Sequence, residues 1–160
     1  AENFFPSINS FFERIENDMG IKIIIAGHHA SKYERFPKYF NRREVIYGKT
    51  GELIKHCEFA ITRGSTAINF AIIYNKPIIF YTTKECEVHE DIKNGILSYS
   101  SCFNKKPVNI DNIDTNLNWD DILSVDSNLY ANYMHNYIKL LNTQDHNSWE
   151  IFKQELLKTV

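Results

Sequence analysis

The sequence has little of what marks several classes of protein. Its cysteines are few, Cys57, Cys86 and Cys102, and none forms a CxxC pair, which argues against a disulfide framework or a zinc motif and favours reduced thiols in the cytoplasm. No apolar run approaches the ~20 residues that a membrane-spanning helix needs. The opening AENFFPSINSFF lacks the basic and apolar regions of a signal peptide.

The chain also lacks a large excess of charge of either sign. The net charge is only −2, so the chain as a whole has no field that would attract nucleic acid. What is present is ordinary for a globular protein, with 43% hydrophobic and 24% charged residues. A chain of 160 residues suits one domain with a sizeable core.

Short apolar runs alternate with segments of helical periodicity along the chain. Predicted strands cover residues 21–27, 44–48, 59–63, 77–83 and 106–110. Predicted helices cover residues 5–19, 49–59, 65–75, part of 85–103, 127–142 and 148–160. Because the strands are too apolar to have one solvated face, the alternation predicts an α/β, Rossmann-like domain. It would have a mostly parallel sheet, helices on both faces and two C-terminal helices.

A polar tetrad, Arg63-Gly64-Ser65-Thr66, follows the predicted strand 59–63. Ligands of parallel sheets bind at the carboxyl ends of the strands. Gly64 allows a sharp turn, and Ser65 is predicted as the N-cap of helix 65–75, where free N–H groups and the helix dipole favour an anion. Arg63 adds a bidentate phosphate donor. The pattern indicates a phosphate site, and it also fits a plain helix cap.

Two further strand ends carry polar residues. His28 and His29 follow strand 21–27, where histidines suit phosphate binding or acid–base catalysis. His28 is the candidate catalytic residue. Both could equally be ordinary surface residues. Their adjacent side chains diverge, so no metal site is predicted, and no cofactor is predicted either. Thr82 and Thr83 end strand 77–83 and Glu85 follows it, and these three are candidate ribose or sugar contacts. Glu85 belongs to an acidic cluster with Glu87, Glu90 and Asp91, and most such clusters are simply solvated.

The order of these motifs is a strand ending in IIIAGH, a basic and aromatic loop, and then YGKTGELIKHCEFAITRGSTAINFAIIYNKPIIFYTT. It resembles the C-terminal, nucleotide-sugar-binding half of GT-B glycosyltransferases, in particular bacterial capsule and lipopolysaccharide enzymes such as sialyltransferases and polysialyltransferases. The resemblance covers residues 1–83 well and the rest loosely. It implies that His28, Ser65 and Thr66 contact the donor phosphate.

The chain departs from that family's pattern at three positions. Where the family has His-Pro, this chain has His28-His29, and the next residue is Ala30 rather than a basic one. Asn69 stands where many members hold the ribose with Glu, which weakens a UDP-sugar assignment and leaves a CMP-sugar or another nucleotide donor open. By this likeness Asn69 is a further candidate ribose contact.

The resemblance implies that residues 1–160 form one nucleotide-sugar-binding domain, part of a two-domain transferase of bacterial surface-polysaccharide synthesis. The missing N-terminal half would carry the acceptor site, so this chain alone is expected to be inactive. We expect a cytoplasmic protein, with peripheral association of the full enzyme at the inner membrane. The alternatives are another GT-B-shaped enzyme, such as a nucleotide-sugar epimerase or glycerophosphotransferase, and a non-catalytic Rossmann-like binding module.

Overall fold

A computed structural model describes residues 4–36, 38–113, 116–139 and 148–158. The helices are α1 Phe4–Met19, α2 Thr50–His56, α3 Ile68–Ile73, α4 Lys84–Val88, α5 Glu90–Ser101, α6 Trp119–Ile122, α7 Ser127–Tyr133 and α8 Ser148–Leu157. The strands are β1 Ile25–Gly27, β2 Val45–Tyr47, β3 Ala60–Thr62, β4 Ile78–Thr82 and β5 Val108–Asn109. A short 3₁₀ helix, Tyr33–Arg35, lies in the connection between β1 and β2.

Every strand pair in the described residues is parallel. β1 pairs with β2, and β4 lies between β3 and β5. The predicted α/β class is confirmed, and the arrangement is compatible with a Rossmann-like fold. The expected single sheet is instead two hydrogen-bonded sheets of two and three strands.

β1 is shorter than the predicted strand 21–27. The backbone N–H of Ile23 donates to Oε1 of Glu16 at 3.1 Å, and is therefore not free to bond a neighbouring strand. Ile24 is 43% exposed, so this part of the run is not buried on both faces as predicted. Strand pairing begins only at Ile25, which faces Val45 of β2.

Apolar side chains cover both faces of β4, because successive residues of a strand point to opposite sides. Ile78 and Phe80 join one buried cluster, whose other members are Ile54, Ile68, Ala71, Ile72, Phe103, Tyr130 and Tyr133. Ile79 joins a second, whose other members are Ile8, Phe11, Phe12, Ile15, Ile23, Phe59 and Ile110. Helices α2, α3 and α7 thus cover one face and α1 the other, which confirms the prediction of helices on both faces.

A polar network joins α1 to the β1–β2 connection. Arg43, whose side chain is 8% exposed, donates from Nη2 and Nε to the two carboxylate oxygens of Glu16, at 2.6 and 3.0 Å. Its Nη1 donates to Oδ1 of Asn9 at 2.9 Å. The Asn9 amide in turn donates to the carbonyls of Phe5 and Tyr39. We call Asn9, Glu16 and Arg43 the Arg43 network.

The two C-terminal helices differ in part from those predicted. α7 continues as a π-helical segment, Met134–Ile138, and residues 140–142 of the predicted helix 127–142 lie outside the described residues. α8 agrees with the described part of the predicted helix 148–160 up to Leu157, and residues 159–160 lie outside the described residues. Its Trp149 and Leu157 side chains are 79% and 68% exposed, so its apolar side chains do not join the core.

Gly27, at the end of β1, is required by close packing. A Cβ there would lie 2.5 Å from Cε1 of Tyr47 and 2.9 Å from Cγ1 of Val45. Moving Tyr47 would also disturb its hydroxyl, which accepts the Tyr33 N–H at 2.9 Å. Gly27→Ala is therefore expected to lower the free energy of unfolding by about 2 kcal/mol, measured by urea unfolding followed by circular dichroism.

Gly95→Ala is the matched control for this substitution. Gly95 lies inside α5, and a Cβ there would meet nothing within 4 Å. Because alanine is a better helix former than glycine by about 1 kcal/mol, this variant should be as stable as the parent or more so. An equal loss of stability in both variants would contradict the packing argument.

Candidate functional site

The structure places the polar segments after β3 and β4 at one edge of the three-stranded sheet. Since β3 and β4 are parallel and Thr62 pairs with Phe80, their carboxyl ends lie side by side. Arg63 reaches across this edge: its Nη1 donates to Sγ of Cys86 in α4 at 3.5 Å. Its guanidinium carbon also lies 5.4 Å from the ring centroid of Phe4 at the start of α1. Arg63 is thus held where α1, β3 and α4 meet.

Gly64 makes the predicted turn after β3. Its φ of 148° lies in a region that favours glycine, and a Cβ would lie 2.9 Å from Cδ2 of Tyr99. Its N–H donates to Oγ1 of Thr62 at 3.1 Å. Both the backbone angle and the nearby ring therefore exclude a larger residue.

The prediction that Ser65 is the N-cap of the following helix is wrong. α3 begins at Ile68, and its N-cap is Ala67. The N–H groups of Ile68 and Asn69 bond to the carbonyls of Ser65 and Thr66, three residues earlier, which is a 3₁₀-type turn rather than an α-helical one. Oγ of Ser65 accepts the N–H of Ala67 at 3.2 Å. Ser65 and Thr66 are exposed beside Arg63, but they do not lie at the start of a long helix.

At the end of β4, Thr82 and Thr83 are buried, and the hydroxyl of each forms a hydrogen bond within the fold. Thr83 is the N-cap of α4, and its Oγ1 accepts the N–H of Cys86 at 3.1 Å. The Thr82 hydroxyl donates to the carbonyl of Thr83 at 3.5 Å. Of these two candidate sugar contacts, only Thr83 reaches the cavity described next.

A cavity of about 360 Å³ opens at this carboxyl end, between the start of α1, the start of α4 and the segment after β5. Its lining residues are Phe4, Pro6, Ser7, Thr83, Lys84, Glu85 and Asp111. The structure thus brings the predicted residues Thr83 and Glu85 together in one wall. Phe4 lines the cavity and also contacts the Arg63 guanidinium, so one ring connects Arg63 to the cavity although Arg63 itself does not line it.

The cavity has two carboxylates, from Glu85 and Asp111. Oδ2 of Asp111 accepts the backbone N–H of Lys84 at 2.7 Å, which fixes this side chain against α4. Carboxylates accept hydrogen bonds from sugar hydroxyls and repel phosphate. The cavity therefore suits the hydroxyls of a ribose or sugar, and an anionic group is better placed at Arg63.

Asp111 was missed in the sequence. Asp111 directly follows the predicted strand 106–110. It therefore fits the pattern that identified candidates at the other strand ends, which is a polar residue after a short apolar run. Only the pairing of β5 with β4 brings it beside Glu85, because this pairing places the end of β5 at the start of α4.

Tyr81 lies next to this site. The ring of Phe4 stacks on it with centroids 6.5 Å apart. Burial raises the pKa of the Tyr81 hydroxyl, and the nearby Arg63 acts in the opposite direction. The hydroxyl is therefore protonated at neutral pH and acts as a neutral polar group beside Arg63.

His28 and His29 lie at the end of β1, in the other sheet. Their rings are 4.2 Å apart and both are exposed. Nδ1 of His28 accepts the N–H of Ala30 at 3.2 Å, which leaves Nε2 to face outward. Within the described ranges, no hydrogen bond or ring contact joins either histidine to Arg63, Gly64, Ser65 or Thr66.

Asn69 lies on α3 and does not line the cavity. Its Oδ1 is buried and accepts no hydrogen bond from the residues that the structure describes. An unpaired buried acceptor costs about 1–3 kcal/mol. The structure therefore separates Asn69 from Thr83 and Glu85, with which the sequence had grouped it.

Three further properties bear on the chemistry. Cys57, Cys86 and Cys102 are free thiols. In the described part of the chain, no group of three or more His, Cys, Asp and Glu side chains is arranged to hold a metal ion. None of the described helices has both the length and the apolar character needed to cross a membrane.

Comparison of the chain with models of protein families found no match, and comparisons with curated proteins and with solved structures found none either. Function must therefore be inferred from the side chains at the strand ends and from the family resemblance in the sequence.

Proposed function

We propose that this chain is the donor-binding domain of a GT-B glycosyltransferase of bacterial surface-polysaccharide synthesis. The donor would be a nucleotide-sugar, with a CMP-sugar or a UDP-sugar as the candidates. One observation carries the proposal: at the shared carboxyl edge of β3 and β4, the turn that carries Arg63, Ser65 and Thr66 contacts Phe4 through Arg63, and Phe4 lines a cavity that contains two carboxylates. A nucleotide-sugar has the complementary parts, an anionic phosphate group and hydroxyl-rich rings.

In this proposal Arg63 is the main phosphate contact. Its guanidinium is held by the ring of Phe4 and by Sγ of Cys86. The exposed hydroxyls of Ser65 and Thr66 add neutral donors beside it. Such groups stabilise the negative charge that builds on a departing phosphate, and they do so without a metal ion. The short α3 makes the helix dipole a smaller contributor than the sequence suggested.

Glu85 and Asp111 would accept hydrogen bonds from ribose or sugar hydroxyls. The bond from the Lys84 N–H to Oδ2 of Asp111 leaves its other oxygen available to a ligand. Thr83 contributes to the wall, although its Oγ1 already accepts a bond from α4. His28 and His29, at the end of the neighbouring sheet, would contact a more distant part of the donor.

The proposal includes a second GT-B domain that supplies the acceptor site and the catalytic base. The present chain would bind the donor without turning it over. Nucleotide-sugars are cytoplasmic metabolites, so the domain would act in the cytoplasm.

Nucleotide binding tests the proposal directly. CMP, CDP, UDP and GDP are titrated into the folded chain by isothermal calorimetry, and we expect one cytidine or uridine nucleotide to bind at millimolar concentration or better. Ser65→Ala/Thr66→Ala should weaken this binding about tenfold, because hydrogen bonds to a charged group contribute about 1.5–3 kcal/mol.

The control variant is Ser10→Ala/Ser101→Ala, which removes two exposed hydroxyls elsewhere on helices α1 and α5. Its nucleotide affinity should equal that of the parent. If the folded chain binds no nucleotide at millimolar concentration, the proposal is wrong and a non-catalytic module is favoured. If both double variants bind like the parent, the phosphate site has been assigned to the wrong residues.

A further inference from the structure

The connection between β1 and β2 carries an unusual concentration of positive charge. We call the described residues 32–36 and 38–42 the basic loop. It contains Lys32, Arg35, Lys38 and Arg42, all exposed, and one acidic residue, Glu34. The chain as a whole has a net charge of −2, so this loop is a local exception to its charge balance.

The four cations have no acidic partner among the side chains that the structure describes. None of them forms a salt bridge among the residues that the structure describes. The acidic side chains next to the loop have other partners: Glu16 pairs with Arg43, Glu44 with Lys22, and Glu13 accepts a bond from Asn41. The positive field of the basic loop therefore extends into solvent.

An apolar ring lies among these cations. Phe36 is 48% exposed, and one face of its ring stacks on Tyr39, with centroids 4.7 Å apart and planes 9° apart. Tyr39 stacks in turn on Phe5 of α1 at 4.1 Å. Phe36 is thus the outer end of a three-ring stack that is anchored in the domain.

The loop is held in shape by the rest of the fold. The Asn9 amide donates to the carbonyl of Tyr39, and the N–H of Tyr33 donates to the hydroxyl of Tyr47. Within the 3₁₀ helix, the N–H of Arg35 bonds to the carbonyl of Lys32, and residues three apart in such a helix project from the same side. Lys32 and Arg35 therefore lie on a hydrogen-bonded turn that directly precedes Phe36 in the chain.

We infer that the basic loop is a docking surface for an anionic lipid bilayer. Its cations would approach the lipid headgroups, while the Phe36 ring enters the interfacial region, where aromatic side chains are favoured. A soluble polyanion would satisfy the charges but has no apolar phase for Phe36, whose ring has no polar atom. The inference does not depend on the proposed donor site, since it uses none of its residues.

Vesicle sedimentation tests the inference. The chain should sediment with vesicles that contain phosphatidylglycerol, not with vesicles of phosphatidylcholine alone, and added salt should weaken the binding. Lys32→Gln/Arg35→Gln/Lys38→Gln should lower the affinity about tenfold or more, because each cation near an anionic surface contributes to binding. Lys93→Gln/Lys106→Gln/Lys153→Gln changes the net charge by the same amount at exposed sites elsewhere and should bind like the parent.

Phe36→Ser separates a bilayer from a soluble polyanion. It should weaken vesicle binding several-fold and leave binding to heparin unchanged. The inference is overturned if the folded parent does not bind phosphatidylglycerol vesicles, or if the two triple variants lose affinity equally. It is also overturned if Phe36→Ser binds vesicles as well as the parent, because the surface is then a general polyanion site. Circular dichroism confirms that each variant is folded.

Discussion

Replacing Arg43 with methionine is expected to lower the free energy of unfolding by about 3 kcal/mol. The Arg43 side chain is 8% exposed and makes two bonds to the carboxylate of Glu16 and one to Asn9. Methionine is unbranched and roughly fills the space, but it leaves the Asn9 oxygen without its donor and the Glu16 carboxylate with only the Ile23 N–H. The loss arises mainly from these unpaired groups rather than from lost packing.

Urea unfolding followed by circular dichroism measures this effect. Arg42→Met is the matched control, since Arg42 is the adjacent arginine, is exposed and forms no described salt bridge. It should change stability by less than about 0.5 kcal/mol. Similar losses in the two variants would show that the Arg43 network does not hold α1 against the β1–β2 connection.

The stability of Arg43→Met should also depend on pH differently from that of the parent. The hydrogen bond from Arg43 lowers the pKa of Glu16 below its ordinary value of 4.5, against an opposing effect of burial. Because the folded-state pKa is lowered, this stabilisation is complete above the unfolded-state value and is lost as the pH falls through the folded-state value. The difference in stability between parent and Arg43→Met should therefore be largest at neutral pH and shrink well below pH 4.5.

Replacing Arg63 with alanine is expected to weaken binding of the best-bound nucleotide about 30-fold, which corresponds to about 2 kcal/mol for a charge-assisted contact to phosphate. The guanidinium is already oriented by Phe4 and Cys86, so little order is lost when a phosphate binds. Arg63→Lys keeps the charge but not the planar fork, and should give an intermediate affinity. Calorimetric titration of the nucleotide into the parent, Arg63→Lys and Arg63→Ala measures these three affinities.

Two controls make the result specific. Arg14→Ala removes an arginine on the far half of α1, where it pairs with Asp18, and should leave nucleotide affinity unchanged. A nucleoside without phosphate should bind the parent and Arg63→Ala equally, because the lost contact is to phosphate alone. If Arg63→Ala binds the nucleotide as tightly as the parent does, Arg63 is not the phosphate contact.

How much of this site was predictable differs from residue to residue. Gly64 was predictable because a turn between strand and helix needs a residue that tolerates positive φ, and the structure has φ 148° there. The start of α3 was not predictable, because Ser65 can cap either a helix or a 3₁₀-type turn. In the structure the carbonyls of Ser65 and Thr66 accept bonds from the N–H groups three residues later in the chain. The place of Asp111 in the site was not predictable, because none of its neighbours along the chain indicates that it shares a cavity with Glu85.

The sequence by itself determined the α/β class, the order of strands and helices and the polar residues at the strand ends. These follow from periodicity and turn chemistry, which depend on residues close together in the chain. Only the tertiary structure decided that Arg63 lies on Phe4, that Glu85 and Asp111 share a cavity, and that Arg43 pairs with Glu16. The physical reason is that each of these contacts joins separate elements, whose packing orients the side chains and determines which donors and acceptors remain free.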